Sequence, residues 1–190
     1  MQCQEGEIMA KVLNYGMVGG GPDAFIGDAH RRAISLDESA RLVAGVFSRN
    51  AEKSKKMGEV LHIEEERCYK DYETMALEEA KREDGIDFVV VVTPNASHYE
   101  ICKAFLNAGI HVVCDKPVTT TYEKAVELQK LAEEKSLLFM VTYTYMGHVT
   151  AKYARDLIAS GAIGDVRAVM AEYPQGWLAF EDNVGGKQGE

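Results

Sequence analysis

Long apolar runs, basic clusters and paired cysteines are all missing from this chain, and each absence removes a class of function. No stretch approaches the ~18 consecutive apolar residues of a membrane helix, so a membrane partner is not expected. The formal net charge is −9 with no basic cluster, which disfavours a nucleic-acid partner. The opening, MQCQEGEIMAK, lacks a basic region followed by an apolar core, so no signal peptide is expected. Cys3, Cys68, Cys102 and Cys114 form no CxxC pair and no framework; reduced thiols in the cytoplasm are the expectation. A metal site is not expected either. His111 and Cys114 are the nearest candidates, but their odd spacing on a strand turns them to opposite faces. There is no internal repeat, and no low-complexity segment before the tail.

What remains is ordinary for a globular chain: 190 residues, 46% hydrophobic and 27% charged, enough for one good-sized domain and part of another. Short β-rich runs alternate with helical stripes. Residues 11–18, 41–47, 87–93, 111–114 and 137–143 are expected strands. The run Val89-Val90-Val91-Val92 is apolar on both faces, which suits a central parallel strand covered by helices on either side. Between the strands, Ile101, Ala104, Phe105 and Ala108 repeat at helical spacing, and Gly109 supplies a stop. Ala125, Leu128, Leu131 and Ala132 make a second stripe. Val149, Tyr153, Leu157 and Ile158 make a third, ending at Gly161. This alternation predicts an α/β, doubly wound parallel sheet. After Gly164 another strand is expected at 165–173, with no helix behind it, followed by a glycine-rich polar tail.

The first strand runs into MVGGGPDAFIGDAHRRA. A glycine-rich turn from strand into helix brings backbone N–H groups and the positive helix end toward a pyrophosphate. Gly19 and Gly21 would make the turn, and Gly27 would be the small residue where helix and strand pack. The spacing departs from G-x-G-x-x-G by an insertion, PDAF in place of one residue. Phe25 and Ile26, which close that insertion, join the glycines as candidate cofactor-lining residues. The second strand ends in Ser48 and Arg49, where an NAD-binding protein often carries an acid for the ribose 2′-OH. A hydroxyl and a guanidinium suit a 2′-phosphate better. NADP is therefore the favoured cofactor, with NAD possible.

Four stretches in order resemble the Gfo/Idh/MocA oxidoreductases (the glucose–fructose oxidoreductase and inositol dehydrogenase group): the glycine loop with IGDAHR, then VVVVTPNASHYE, AGIHVVCDKPVTT and YARDLIASGAIGDVRAVMAEY. The resemblance covers roughly residues 10–175. It implies a Rossmann-like NAD(P)-binding domain and hydride transfer between a nicotinamide and a sugar, polyol or related hydroxyl compound. Lys116 is implied as the catalytic lysine that orients the substrate hydroxyl and takes part in proton transfer, with Pro117 setting the bend that aims it. Asp115 replaces the family glutamate that hydrogen-bonds cofactor ribose. Thr93, Pro94, Asn95 and His98 match a cofactor-lining loop. The charged pair Asp115-Lys116 thus sits at the carboxyl end of a sheet strand, where such folds bind ligands. A non-catalytic nucleotide-binding protein is the alternative function. A methyltransferase using S-adenosylmethionine leaves Asp115-Lys116-Pro117 without a role.

The family also carries an Asp and a His in a substrate domain that nothing after residue 175 resembles. Residues 1–146 are accordingly expected to form the dinucleotide-binding domain, and 147–190 a connecting helix and the first strand of a truncated α+β substrate domain. Such a chain is expected to bind cofactor without turning over. It is expected to form homo-oligomers, since the strand at 165–173 has lost its sheet. Several residues keep two readings. His30 is a solvated or capping side chain, or a cofactor contact. Tyr143 and Tyr145 are core or pocket wall. Glu64, Glu65 and Glu66 form a solvated face, and Trp177 belongs to a missing pocket or to none.

Overall fold

The computed structural model describes residues 11–22, 24–174 and 176. The opening segment with Cys3 and the tail with Trp177 lie outside the described residues. The chain divides into two compact units between Thr142 and Tyr143.

The first unit is a parallel five-stranded sheet with the strand order β2-β1-β3-β4-β5. Its elements follow one another as β1 (Leu13–Gly19), α1 (Phe25–Ile34), β2 (Ala40–Val46), α2 (Ala51–Val60), α3 (Tyr72–Glu79), β3 (Phe88–Val92), α4 (His98–Asn107), β4 (His111–Cys114), α5 (Tyr122–Glu134) and β5 (Phe139–Val141). The doubly wound parallel sheet expected from the alternation is present. Each of its five strands falls within two residues of its expected place. The order reverses between β1 and β3, and this is the topological switch point where open α/β sheets bind ligands.

β3 is the buried centre. Val89 and Val91 enter one core cluster with Met75 of α3, Phe105 and Leu106 of α4, and Leu128 of α5. Val90 and Val92 enter the other with Tyr15, Met17 and Met57, against which Ile26 and Ile34 of α1 pack. The period-2 geometry of a strand makes this division, and it is why an uninterrupted valine run is needed. Side chains start three of the helices. Asn50 accepts from the Lys53 amide at 3.0 Å, Asp71 from Thr74 at 2.7 Å, and Thr121 from Lys124 at 3.4 Å, each satisfying a free amide of the first turn. Gly109, at φ +83°, ends α4 as expected.

One polar contact is deeply buried. Arg67 donates through Nε to Glu79 Oε1 at 3.0 Å and pairs again with Glu79 through Nη2. Tyr69 adds its hydroxyl to Oε1 at 2.8 Å. The side chains of Arg67 and Glu79 are 5% and 0% exposed. The neighbouring acids behave as the solvated face expected of them, Glu65 pairing with Lys55 at 2.6 Å and Glu66 with Arg82 at 3.4 Å.

The second unit holds a short 3-10 turn at Thr144–Gly147 and α6 (Val149–Ala159). Tyr145 contacts Tyr173 through both hydroxyls, with the rings edge to face at 5.9 Å. The strand expected at 165–173 is not formed among the described residues. Its apolar alternation is present, but a strand exists only against a partner edge, and the described residues offer it none.

Removing Glu79 leaves the buried Arg67 guanidinium with only the exposed Asp84 carboxylate, 3.4 Å from Nη1, as an ionic partner. Glu79→Ala should therefore lower stability by about 3–5 kcal/mol. Urea unfolding measures it; a loss under about 1 kcal/mol would mean the pair behaves as a surface ion pair.

Candidate functional site

The placement of the candidate site residues follows from where parallel strands end. Gly19 of β1 pairs with Val92 of β3, and Val91 pairs with Cys114 of β4. The glycine turn, the Thr93 loop and Asp115-Lys116 therefore leave the same edge of the sheet side by side.

The turn after β1 is built from glycines for two different reasons. Gly19 and Gly20 sit at φ +95° and +70°, in the left-handed region that a Cβ disfavours. Gly27 is needed for space, because a Cβ there would lie 2.4 Å from the Gly20 Cα. That close approach lets α1 begin directly over the turn. Gly20 was not singled out from the sequence, yet it is the residue on which α1 packs. Its carbonyl accepts from Arg31 Nη1 at 3.0 Å. The first turn of α1 has no side-chain cap, so its amide groups remain available to an anion. Phe25 is 82% exposed, while Ile26 turns into the core.

A cavity of about 650 Å³ opens above this turn. Gly19, Gly20 and Gly21 form its floor, Ser48 and Arg49 line it at the end of β2, and Thr93 and Pro94 line it at the end of β3. Lys53, Lys70 and Tyr72 also line it. Lys53 comes from α2, Lys70 from the approach to α3 and Tyr72 from its first position, and no motif in the sequence marks them. A Cβ on Gly21 would meet the Phe47 carbonyl oxygen at 2.5 Å, so the cradle between turn and β2 is open only because that residue is glycine. Ser48 accepts the Asn50 amide at 3.1 Å. Ser97 secures the third-strand loop, its Oγ lying 2.8 Å from Thr93 Oγ1 and 2.7 Å from the Pro94 carbonyl.

Asp115 and Lys116 follow β4. The Asp115 amide continues the ladder to Val91 O at 2.9 Å. Its Oδ1 accepts from Thr142 Oγ1 at 2.9 Å and lies 3.6 Å from His30 Nε2. Burial would raise the Asp115 pKa, but the contacts from His30, the Lys116 amide and Thr142 outweigh it and hold the carboxyl below its usual value. His30 is 10% exposed, so it is neither solvated nor a cap; it ties α1 to the end of β4. Lys116 is exposed, and Asn95 is exposed beside the cavity without being part of its lining.

His98 takes a position the sequence did not indicate. It is 0% exposed and lies behind the loop. Nδ1 is 2.8 Å from Pro117 O and Nε2 is 2.8 Å from Thr93 O. Among the described residues no group of His, Cys, Asp and Glu could hold a metal ion, and no helix is long and apolar enough to cross a membrane.

Comparison with known proteins agrees with this geometry. Residues 13–143 match the GFO_IDH_MocA family, described as an oxidoreductase family with an NAD-binding Rossmann fold. An uncharacterized oxidoreductase of Bacillus subtilis, YfiI, is 44% identical over 92% of this chain and 45% of its own length. The scyllo-inositol 2-dehydrogenase (NADP(+)) IolW of the same organism is 34% identical over 51% of this chain and 27% of its own length. The crystal structure of an inositol dehydrogenase homologue from Azotobacter vinelandii, complexed with NAD+, superposes with a TM-score of 0.80 at 42% identity, covering 83% of this chain and 41% of that one. The chain thus spans less than half the length of these relatives.

The Asp115 contacts make a pH-dependent prediction. Its pKa is lowered on folding, so its contribution is present above the unfolded value of about 3.9 and is lost as pH falls through the folded one. Thr142→Val should cost about 1 kcal/mol at pH 7, and that difference should vanish in acid. Urea unfolding across the acid range, with an NMR titration of Asp115, checks both; a pH-independent difference would remove the carboxylate from the account.

Proposed function

This chain belongs to the Gfo/Idh/MocA oxidoreductase family, and from that premise we propose that it binds a nicotinamide dinucleotide in the cavity above the glycine turn. The observation that carries the reading is the cavity itself, framed by the ends of β1, β2 and β3, with a floor that tolerates no Cβ. The residues fit the group. Gly19, Gly20 and Gly21 with the uncapped start of α1 would hold the pyrophosphate. Thr93 and Pro94 would line the path toward Asp115 and Lys116, with Phe25 and Asn95 at its margin, while Ile26, packed into the core, would support the turn rather than touch the cofactor.

The substrate proposed is a sugar, polyol or related hydroxyl compound, in keeping with relatives named for inositol. The bound cofactor would supply the hydride chemistry. Lys116, exposed and next to the half-buried Asp115, would hold the substrate oxygen by donating to it as the ammonium and would take the hydroxyl proton as the neutral amine. Asp115 would fix the strand end from which that lysine projects and contact cofactor ribose. Activity is proposed for a protein of the relatives' length. There, Lys116→Met should lower kcat by roughly 10²–10⁴-fold while sparing cofactor affinity; near-normal kcat would leave Lys116 with a structural role only. A cytoplasmic setting fits the free thiols of Cys68, Cys102 and Cys114. Self-association is proposed as well.

Within the nicotinamide dinucleotides we favour NADP. The two relatives above differ here, one named for NADP(+) and one complexed with NAD+, so the end of β2 has to decide. Ser48, Arg49 and Lys53 line that end of the cavity with no acid on the strand end. A charged hydrogen bond to a 2′-phosphate contributes about 1.5–3 kcal/mol. NADPH should therefore bind tighter than NADH, and Arg49→Ala should remove most of the gap. Calorimetric titration of both cofactors reads this directly. Equal affinities that the substitution leaves unchanged would reject NADP.

A further inference from the structure

Both ring nitrogens of His98 face carbonyl oxygens at 2.8 Å, Pro117 O on one side and Thr93 O on the other. A carbonyl oxygen only accepts hydrogen bonds. A neutral imidazole has one N–H and one lone pair, so it would set that lone pair against an oxygen at hydrogen-bond distance with no water between, at a site 0% exposed. Only the doubly protonated ring satisfies both contacts.

We propose that His98 is a buried imidazolium whose two N–H groups clamp the loop after β3 to the loop after β4, making it a positioning residue for Lys116. One bond holds the first residue of the Thr93-Pro94 loop. The other holds the carbonyl of Pro117, the residue next to Lys116. The relative position of cavity wall and lysine is thus set by one ring.

The surroundings suit a cation. Cys114 at the end of β4 and Cys102 on α4 are both buried, and Asp115 lies one residue beyond Cys114, itself facing His30 of α1. Burial pushes the His98 pKa down, but the contacts with Cys114, Pro117 O and Thr93 O overcome it and bring it up to about 9. The Cys114 thiol is correspondingly held down by its hydrogen bond with Cys102 and by His98. A raised histidine pKa places the clamp fully in force at neutral pH, and it is released as pH rises through about 9.

NMR on this chain tests the charge state without any cofactor. The chain has five histidines, and ¹⁵N–¹H spectra of ring-labelled protein report which nitrogens carry protons. The expected result is one ring with both nitrogens protonated and no titration between about pH 6 and pH 8, where an ordinary histidine changes state. His98→Gln assigns it; if that variant does not fold, single substitutions of His30, His62, His111 and His148 assign it by elimination. A single protonated nitrogen at pH 7 overturns the proposal. The positioning role rests on the cofactor reading and is measured separately. In folded His98→Gln, amide signals of residues 93–97 and 115–119 should shift together, and dinucleotide affinity should fall roughly tenfold. Unmoved amides and unchanged affinity overturn the positioning role. Failure of the wild type to bind either dinucleotide, with the ring doubly protonated, defeats the cofactor reading and leaves the clamp standing.

Discussion

Everything at the proposed site depends on one constraint: parallel strands that share a register end at the same edge. Gly19, Thr93 and Asp115 lie far apart in sequence, but the ladders β1–β3 and β3–β4 bring the residues beside them into line. Helices return the chain to the opposite edge each time, so every β-to-α connection falls on the functional side. The valine run of β3 makes this possible, since a strand covered on both faces must be apolar at every position. A polar residue at Val91 would disturb the core under α3, α4 and α5, and one at Val90 the core under α1.

That edge collects polar groups which the core cannot hold, and the structure gives them partners in depth. Asp115 is met by Thr142 from the neighbouring strand end and by His30 from α1. His98 lies beneath and joins two backbone carbonyls. Serine and threonine hydroxyls fix the loop between. Lys116 is exposed between two residues whose backbone is tied, Asp115 through its amide and Pro117 through its carbonyl.

The sequence made the sheet and its order of elements readable because hydrophobic periodicity, strand-end glycines and Gly109 are local signals. The glycine turn, and the place of Lys116 directly after a strand, were readable from short motifs. The segment 165–173 was not, since its alternation is the same whether or not a partner edge exists. His98 was placed within the loop motif, but burial is a property of what packs around it, and Pro117 is nineteen residues away. The pairing of His30 with Asp115 and the arrival of Lys53 and Lys70 at the cavity depend equally on distant chain. Gly20 was hidden among three consecutive glycines, where sequence cannot say which one carries the close contact.

Ser48 has two duties at the end of β2: it lines the cavity and it accepts the Asn50 amide, while Asn50 starts α2. Under the proposed cofactor reading, preference at this position is coupled to the start of a helix. Aspartate would keep an acceptor for that amide while introducing the charge that repels a 2′-phosphate. Alanine would lose the turn bond without gaining selectivity. The proposed site thus has one short path between the two dinucleotides, and it runs through a residue that preserves the helix start.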